Sequence, residues 1–403
     1  MNKFSSYQAK QTKSQSGFTM VEILVGLVLG AAILTAALSM QSQYKRGFKL
    51  SGNKLDMQTN AKFAFEYMGK SLRSAGSLGC RSSVNIIEQK LEDVNISAGC
   101  YEGVCIDFND PKASYADFRP GWEIKGYEYT GAGATLPALP VDFTFVSSGY
   151  NNNDSDVFSV SGGFGEVYSV SRDQDLVATD TGFALDMSGP VNVRLKQFQY
   201  GMLTSCKGGK IFKVTSTDGA IAAGNIQWGS GGAPDDNAVG LLGDKGMFVV
   251  GSGNRREFRR AAVTTYFVGM DPLGDSNGVP TLYQDVDGVS SRLIEGVEEM
   301  HVLYGLSDDP LVRNIADRYV TADVIDAETN ATNNMWAKIV SVRIGIIMRS
   351  IDPVFKSPQA QTKNLACVGY TQAAKTDRFA RATYCTEISV RNRLVGARTG
   401  NKI

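Results

Sequence analysis

The sequence predicts an α+β protein in which a long N-terminal helix packs on a large antiparallel β-rich head. Three observations predict this class: an apolar run of 23 residues, a helical apolar spacing that continues after it, and short alternating segments among 43 glycines. A helix of 23 residues spans about 35 Å and can cross the ~30 Å hydrocarbon core of a bilayer. The predicted regions are residues 1–17, 18–40, 41–75 and 76–403.

Residues 1–17 form a polar, basic leader. They contain Lys3, Lys10 and Lys13 and no acidic residue. Basic residues before an apolar run favour the cytoplasmic side, so the rest of the chain is expected to be exported. A secretory signal would have an apolar core of roughly 7–15 residues with a small-residue cleavage site after it. The apolar run, Phe18–Met40, is longer, which leaves an uncleaved single-pass anchor as the simplest interpretation.

Glu22 argues against a plain anchor, because it is the one ionisable side chain of the run. A carboxylate at the centre of a bilayer costs about 2.5–3.5 kcal/mol on insertion scales. The alternative without a function is that Glu22 reaches back to the headgroup layer. Gly26 and Gly30 form a G-x-x-x-G pair, which permits close helix approach but is a weak signal in a segment rich in glycine and alanine.

The stretch "GFTMVEILVGLVLG" resembles the prepilin signal of type IV pilins and type II secretion pseudopilins. The resemblance implies that a prepilin peptidase cleaves between Gly17 and Phe18 and N-methylates Phe18. It also implies that Glu22, the fifth mature residue, meets the N-terminal amine of an adjacent subunit and thereby supports assembly. The protein would wait in the inner membrane until it is assembled.

Residues 41–75 continue the helix in an amphipathic form. Phe65, Met68 and Leu72 share a face at helical spacing, and Ala61 and Ala64 widen it. This face is expected to pack on the head. Two glycines lie within the segment, Gly47 and Gly52. Either they allow the helix to bend or the helix simply tolerates them. The helix is expected to end at Gly76 and Gly79, since glycine is the preferred C-terminal cap.

Residues 76–403 are expected to form short strands joined by turns. The predicted strands lie in "DVFSVSG", "VYSVS", "KIFKVTST", "GMFVVGSG", "RRAAVTTYFVGM" and "YCTEISVRNRLVG". "MWAKIVSVRIGIIMRS" starts with an ambiguous segment and then alternates as a strand does. A hairpin is predicted in "LGDSNGVPTLYQDVDG", with a strand at Thr281–Gln284. "LIEGVEEMHVLYGL" is a strand or a short helix leading into one. The segments around 147–157 and 229–240 and much of 306–334 are predicted loops.

Six cysteines follow the apolar run, an even number in the part expected to be oxidised. The predicted disulfides are Cys367–Cys385, which flank one polar segment, Cys80–Cys206 and Cys100–Cys105. Zinc is the rival interpretation. His301 is the sole histidine and only Cys100 and Cys105 are close, so metal-ligand spacing is missing.

The sequence predicts neither an enzyme nor a cofactor. It has no G-x-S-x-G, Walker or H-E-x-x-H motif, and His301 is interpreted as a structural side chain. Acid pairs such as Asp235-Asp236 and Asp308-Asp309 are interpreted as solvated loop residues. "NNNDSDV" begins like a calcium loop at Asn152, Asp154 and Asp156 but lacks the later glycine and glutamate. The formal charge is zero, and no basic block indicates a specific nucleic-acid site.

The head resembles the PilW-like minor pilins, which are related to J-type pseudopilins. The matching pieces include "SLRSAGSLGC", "SDVFSV", "TSCKGGKIFKVT", "YFVGMD", "GVPTLYQ", "LIEGVEEMHVLYG", "WAKIVSVRIGIIMRS" and "EISVRNRLVG", in that order. The resemblance implies a tip or priming complex for type IV pili, which serve twitching, adhesion and DNA uptake. Its partners would be the major pilin, other minor pilins and a PilY-type tip adhesin. The head would lie in the periplasm before assembly and on the cell-surface pilus after it. The alternatives are a J-type pseudopilin of a type II secretion system and a tip module that binds a surface or DNA.

Overall fold

A computed structural model describes residues 17–78, 81–82, 100–101, 104–105, 123–131, 134–139, 154–171, 182–188, 193–205, 208–227, 256–272, 278–308, 315–329 and 334–390. The chain divides into two compact units, Met1–Asn53 and Lys54–Ile403. The predicted class is confirmed, because a long N-terminal helix precedes a large antiparallel β-rich region.

Three helices and many short strands make up the described part of the chain. The helices are α1 (Met20–Ser74), α2 (Asp218–Ala222) and α3 (Ala322–Glu328), with one 3₁₀ turn at Met335–Lys338. The strands are β1 (Ser77–Leu78), β2 (Arg81–Ser82), β3 (Cys100–Tyr101), β4 (Val104–Cys105), β5 (Ile124–Gly131), β6 (Ala134–Leu136), β7 (Val157–Ser169), β8 (Gly182–Ala184), β9 (Tyr200–Ser205), β10 (Gly208–Lys213), β11 (Asn225–Gln227), β12 (Glu257–Asp271), β13 (Val279–Val286), β14 (Val289–Glu295), β15 (Val297–Leu306), β16 (Arg318–Val320), β17 (Ile339–Arg349), β18 (Gln359–Gln361), β19 (Asn364–Leu365), β20 (Tyr370–Thr371), β21 (Lys375–Asp377) and β22 (Arg381–Ser389).

Two sheets form the body of the second unit. The first contains eight strands, with β10, β9, β12, β7, β5 and β6 side by side and β13 and β14 added beside β12. The second contains four strands in the order β16, β15, β17, β22. All their pairings are antiparallel. Two-residue and three-residue strands form small hairpins around them, including β18 with β21 and β19 with β20.

The C-terminal part of α1 buries one face against both sheets. The buried residues on this face are Met57, Ala61, Ala64, Met68, Leu72 and Ala75. They join a core cluster with Phe158, Tyr266 and Met300. The predicted face is thus confirmed, with Phe65 only half-buried at its edge. The Ser71 hydroxyl also lies 2.6 Å from the Tyr266 hydroxyl, which ties the helix to β12.

The helix ends as the sequence predicts. The N–H of Ala75 donates to the carbonyl of Leu72 at 3.3 Å, and Gly76 follows with a φ of 67°. A residue with a side chain is disfavoured in this left-handed conformation, so glycine suits the position after the last turn. Gly79, the second predicted cap, lies outside the described residues. Gly47 and Gly52 lie within the helix.

Several strand predictions need correction. "DVFSVSG" and "VYSVS" belong to the single strand β7, and the hairpin strand predicted at Thr281–Gln284 extends to the full β13. "LIEGVEEMHVLYGL" forms the end of β14 and all of β15, separated by Gly296. The segment 306–334, predicted mostly as a loop, contains β16 and α3. "GMFVVGSG" lies outside the described residues.

Strand β17 does not alternate as predicted, because almost all its residues are buried whichever side of the sheet they face. One side contributes Ile344 and Ile346 to the main core. On the other, Leu365 and Val368, from the segment between β17 and β22, lie within 3.3 Å of where a Cβ on Gly345 would stand. This segment therefore covers the outer face of the sheet. Because that face is not open to solvent, it does not need the polar residues that an open antiparallel sheet would show.

Candidate functional site: the N-terminal segment and the polar network of the head

The N-terminus of α1 is capped by two side chains. The carbonyl of Thr19 accepts the first helical bond from the N–H of Ile23 at 3.2 Å, so Thr19 is the N-cap residue. The N–H of Glu22 donates to the Thr19 hydroxyl oxygen at 3.3 Å, and the Glu22 carboxylate accepts from the N–H of Thr19 at 3.3 Å. These reciprocal bonds form a capping box, which satisfies N–H groups that a helix start leaves without partners.

The capping box assigns Glu22 a local role that neither sequence interpretation included. A carboxylate in the first turn is also favoured by the partial positive charge of the helix N-terminus. The signal was present in the sequence as Thr-x-x-Glu immediately before an apolar run. A carboxylate accepts up to about four hydrogen bonds, so the cap leaves Glu22 able to accept from a further cation.

The apolar run of α1 has no cover from the part of the chain that the structure describes. By length and composition α1 could cross a membrane, and none of its most apolar stretch is buried. Phe18 is 82% exposed, and a Cβ added at Gly17, Gly26 or Gly30 would meet nothing within 4 Å. Among the described residues nothing thus crowds Gly17, and the G-x-x-x-G pair remains a prediction that needs a second helix. Residues 1–16 lie outside the described residues.

His301 lies in a buried polar network on β15. Its Nδ1 is 3.7 Å from a carboxylate oxygen of Asp156, and its Nε2 is 3.8 Å from one of Glu299. Its ring stacks on Tyr370, with centroids 3.5 Å apart. Burial alone would lower the pKa of His301, but the nearby carboxylates of Asp156 and Glu299 outweigh it and raise the pKa to about 9. The histidine therefore serves as an internal cation, a role that the sequence analysis did not include.

Asp156 lies in the loop just before β7, as predicted, but it is buried and connects two sheets. Its Oδ1 accepts from the N–H of Tyr129 at 2.9 Å, and its Oδ2 accepts from the N–H of Val302 at 2.8 Å. Burial, followed by the charge of Asp156, raises the pKa of the neighbouring Glu128 to about 8. Asn152, the first residue of the calcium-like stretch, lies outside the described residues. The described part of the chain holds no group of three His, Cys, Asp or Glu residues arranged to bind a metal.

Arg381 is the centre of a second part of the network. Its guanidinium donates to both carboxylate oxygens of Glu298, at 2.6 and 2.8 Å, and to both of Asp377. The side chains of Arg381 and Glu298 are almost fully buried. Gln372 continues the network by donating to Glu299 at 2.8 Å. These contacts hold residues 372–381 against β15. Their chemical role is to fix in place the segment that covers the sheet.

The same segment is joined covalently to the sheet. A disulfide links Cys367 to Cys385 of β22, with Cα atoms 6.4 Å apart, as the sequence predicts. Cys100 and Cys105 are Cα partners across the β3–β4 ladder, and their bond remains a prediction. Cys80 and Cys206 lie outside the described residues.

Comparison with known families gives two matches, one at each end of the chain. Residues 12–38 match the prokaryotic N-terminal methylation motif, and residues 265–392 match the family of type IV pilus-assembly protein W. No curated protein and no solved structure matches the chain. The second match covers the last seven residues of β12 and all of β13 to β22. This range includes the second sheet and the part of the polar network on β15, β20, β21 and β22, whereas Asp156 and Glu128 lie before it. Together with a long N-terminal helix followed by antiparallel sheets, the two matches support a PilW-like type IV pilin.

Proposed function

We propose that this chain is a non-enzymatic minor pilin in a tip or priming complex that initiates type IV pilus assembly. The observation that carries the proposal is the pairing of an uncovered, capped apolar helix with a compact unit of 350 residues, Lys54–Ile403. Pilus shafts are built from closely repeated subunits, and a body of this size would crowd such repeats. A position at the tip avoids the crowding. The partners are other minor pilins, the major pilin and a PilY-type adhesin.

Maturation is proposed to remove residues 1–17, with methylation of Phe18. The support is the methylation-motif match at residues 12–38 and the absence of crowding at Gly17 by the residues that the structure describes. Gly17→Leu should leave only the precursor on a gel, because a bulky residue replaces the one at the scissile bond. Gly47→Leu, at an equally open glycine of the helix, is the control and should be processed. Mature-sized Gly17→Leu protein would contradict the proposal.

Glu22 is proposed to receive the N-terminal amine of an adjacent subunit in addition to capping its own helix. Two substitutions separate these roles. Glu22→Gln keeps an acceptor for the capping box and removes the charge, whereas Thr19→Ala removes the cap partner and keeps the charge. Loss of the counter-charge predicts that Glu22→Gln fails to pull down partner pilins and that Thr19→Ala assembles.

The opposite result would make the cap the essential role of Glu22. Wild-type assembly by both variants would favour a carboxylate that merely reaches the headgroup layer. Alkaline extraction of membranes is the control for insertion, since removing the charge lowers an insertion cost.

Deleting the gene separates the minor-pilin proposal from the pseudopilin alternative. A minor pilin predicts lost twitching with normal exoprotein secretion, and a J-type pseudopilin predicts the reverse.

A further inference from the structure

A short stretch of α1 just after the apolar run carries aromatic and basic side chains together. Tyr44 and Phe48 are 70% and 69% exposed, and their rings lie 5.4 Å apart. Lys45 and Lys49 are exposed one position after each aromatic residue. At 100° per residue, these four side chains occupy one sector of about 140° around the helix. We call these four residues the interfacial band.

The sequence provides the interfacial band with no acidic partner on its own helix. No aspartate or glutamate lies between Glu22 and Asp56. Ion pairs along a helix form between residues three or four positions apart, so neither Lys45 nor Lys49 can form one. Two lysines close together without a local counter-ion favour an anionic partner outside the helix.

The depth of the band matches a headgroup layer. From Phe18, the first 23 residues cover about 35 Å, which exceeds the ~30 Å hydrocarbon core. Tyr44 then lies about 39 Å and Lys49 about 46 Å along the helix, and a typical tilt near 20° shortens these depths by only about 6%. Headgroup layers bring a bilayer to about 40–45 Å in total. With Phe18 at the outer edge of the near headgroup layer, the band therefore falls within the far headgroup layer.

The side chains of the band suit that layer chemically. Aromatic residues are enriched at membrane interfaces, where a ring contacts acyl chains and a hydroxyl such as that of Tyr44 reaches water. Lysine extends its apolar stem along such a surface and places its ammonium group among phosphates. Each basic residue near an anionic surface contributes about 1 kcal/mol.

We infer that Tyr44, Lys45, Phe48 and Lys49 bind the headgroups of anionic phospholipids and fix the depth of the helix before assembly. The inference goes beyond the proposed function and requires only that the apolar run spans a bilayer. It is independent of whether the protein later enters a pilus tip or a secretion pseudopilus.

The test measures lipid binding by the full-length chain in neutral detergent. Phosphatidylglycerol is titrated against phosphatidylcholine, and lipid-bound protein is counted by native mass spectrometry. The wild-type chain should prefer phosphatidylglycerol. Lys45→Gln/Lys49→Gln should weaken that binding about 30-fold, the loss expected for two basic contacts. Lys62→Gln/Lys70→Gln removes the same charge from exposed positions further along α1 and should bind as the wild type does.

A second arm identifies what covers the band in the cell. A photoreactive phenylalanine analogue at position 48 should crosslink to phospholipid in membranes. Crosslinks to protein alone would overturn the inference, as would equal phosphatidylglycerol binding by the Lys45/Lys49 double variant and the wild type. Alkaline extraction separates this failure from that of the proposed function, because a chain that is not membrane-anchored would be extracted whether or not the lysines are present.

Discussion

At the scale of single residues, the second unit contains several buried charges. Glu298, Glu299, His301 and Arg381 are all buried near β15 and β22. Removing two charges from water costs several kcal/mol per ion, which only close geometry and further hydrogen bonds offset. Arg381 meets that condition with its bonds to two carboxylates, whereas the pair between Arg318 and Glu328 lies exposed to solvent.

Arg381→Met should therefore destabilise the protein by about 3–5 kcal/mol, because it leaves Glu298 buried without its cation. Urea unfolding followed by circular dichroism measures the change. Arg318→Met is the matched control and should cost less than about 1 kcal/mol, as exposed ion pairs do. Equal losses in the two variants would show that burial of Arg381 has no special energetic consequence.

The pH dependence of stability should also originate in this network. The pKa of His301 is raised to about 9 in the folded chain from an ordinary value near 6.5, so its contribution is complete below pH 6.5 and is lost as the pH rises through 9. The raised pKa of Glu128, about 8, acts in the same direction from pH 4.5 upward. Thermal unfolding from pH 6.5 to 9.5 should show falling stability.

His301→Gln should flatten the decline in stability above pH 6.5, since it removes the group that titrates there while retaining polar atoms. The decline attributable to Glu128 below pH 8 should remain. An unchanged profile in His301→Gln would show that the histidine is not protonated in the folded state at neutral pH.

At the scale of elements, α1 has two parts that suit different surroundings. Its apolar run is uncovered, and its C-terminal part buries a stripe of small and flexible side chains. Three alanines in that stripe, Ala61, Ala64 and Ala75, bring the helix backbone close to the sheets, while Met68 and Leu72 fill the space between. The stripe follows helical spacing, which is why the sequence could predict it.

Met68→Ala should cost about 2–5 kcal/mol, because Met68 is fully buried and its truncation leaves a cavity. Phe63→Ala, on the same helix but 47% exposed, should cost much less despite removing a larger side chain. The free energy of unfolding of the two purified variants provides the comparison. A larger loss of unfolding free energy in Phe63→Ala would show that the helix packs on the sheets through the face of Phe63 and not through that of Met68.

At the scale of the whole molecule, the compact unit begins inside the helix, at Lys54, and not at the end of it. A chain that starts near Gln43 should therefore be soluble and folded, because it lacks the apolar run and keeps the docking face. A chain that starts at Gly76 loses the face from Met57 to Ala75 and should aggregate or give a poor yield. The soluble yield and the thermal unfolding temperature of the two chains are compared. Equal values would show that the helix does not stabilise the head and only links it to the membrane.

The sequence alone determined the features that depend on neighbours in the chain. The 23-residue apolar run, the face of Met68 and Leu72, the Gly76 cap and the order of most strands follow from spacing within a few residues. The capping box of Thr19 and Glu22 is equally local, since Thr-x-x-Glu before an apolar run is enough to indicate it.

Only the tertiary structure decided which charged residues are buried. "EEMHVLYG" predicts a strand, but its carboxylates and histidine find their partners 73 to 145 residues away in the chain, at Gln372, Arg381 and Asp156. The outer cover of β17 arises in the same way, from a segment that a disulfide and a buried ion pair hold in place. Such pairings depend on the arrangement of whole strands, which the spacing of residues within one strand does not specify.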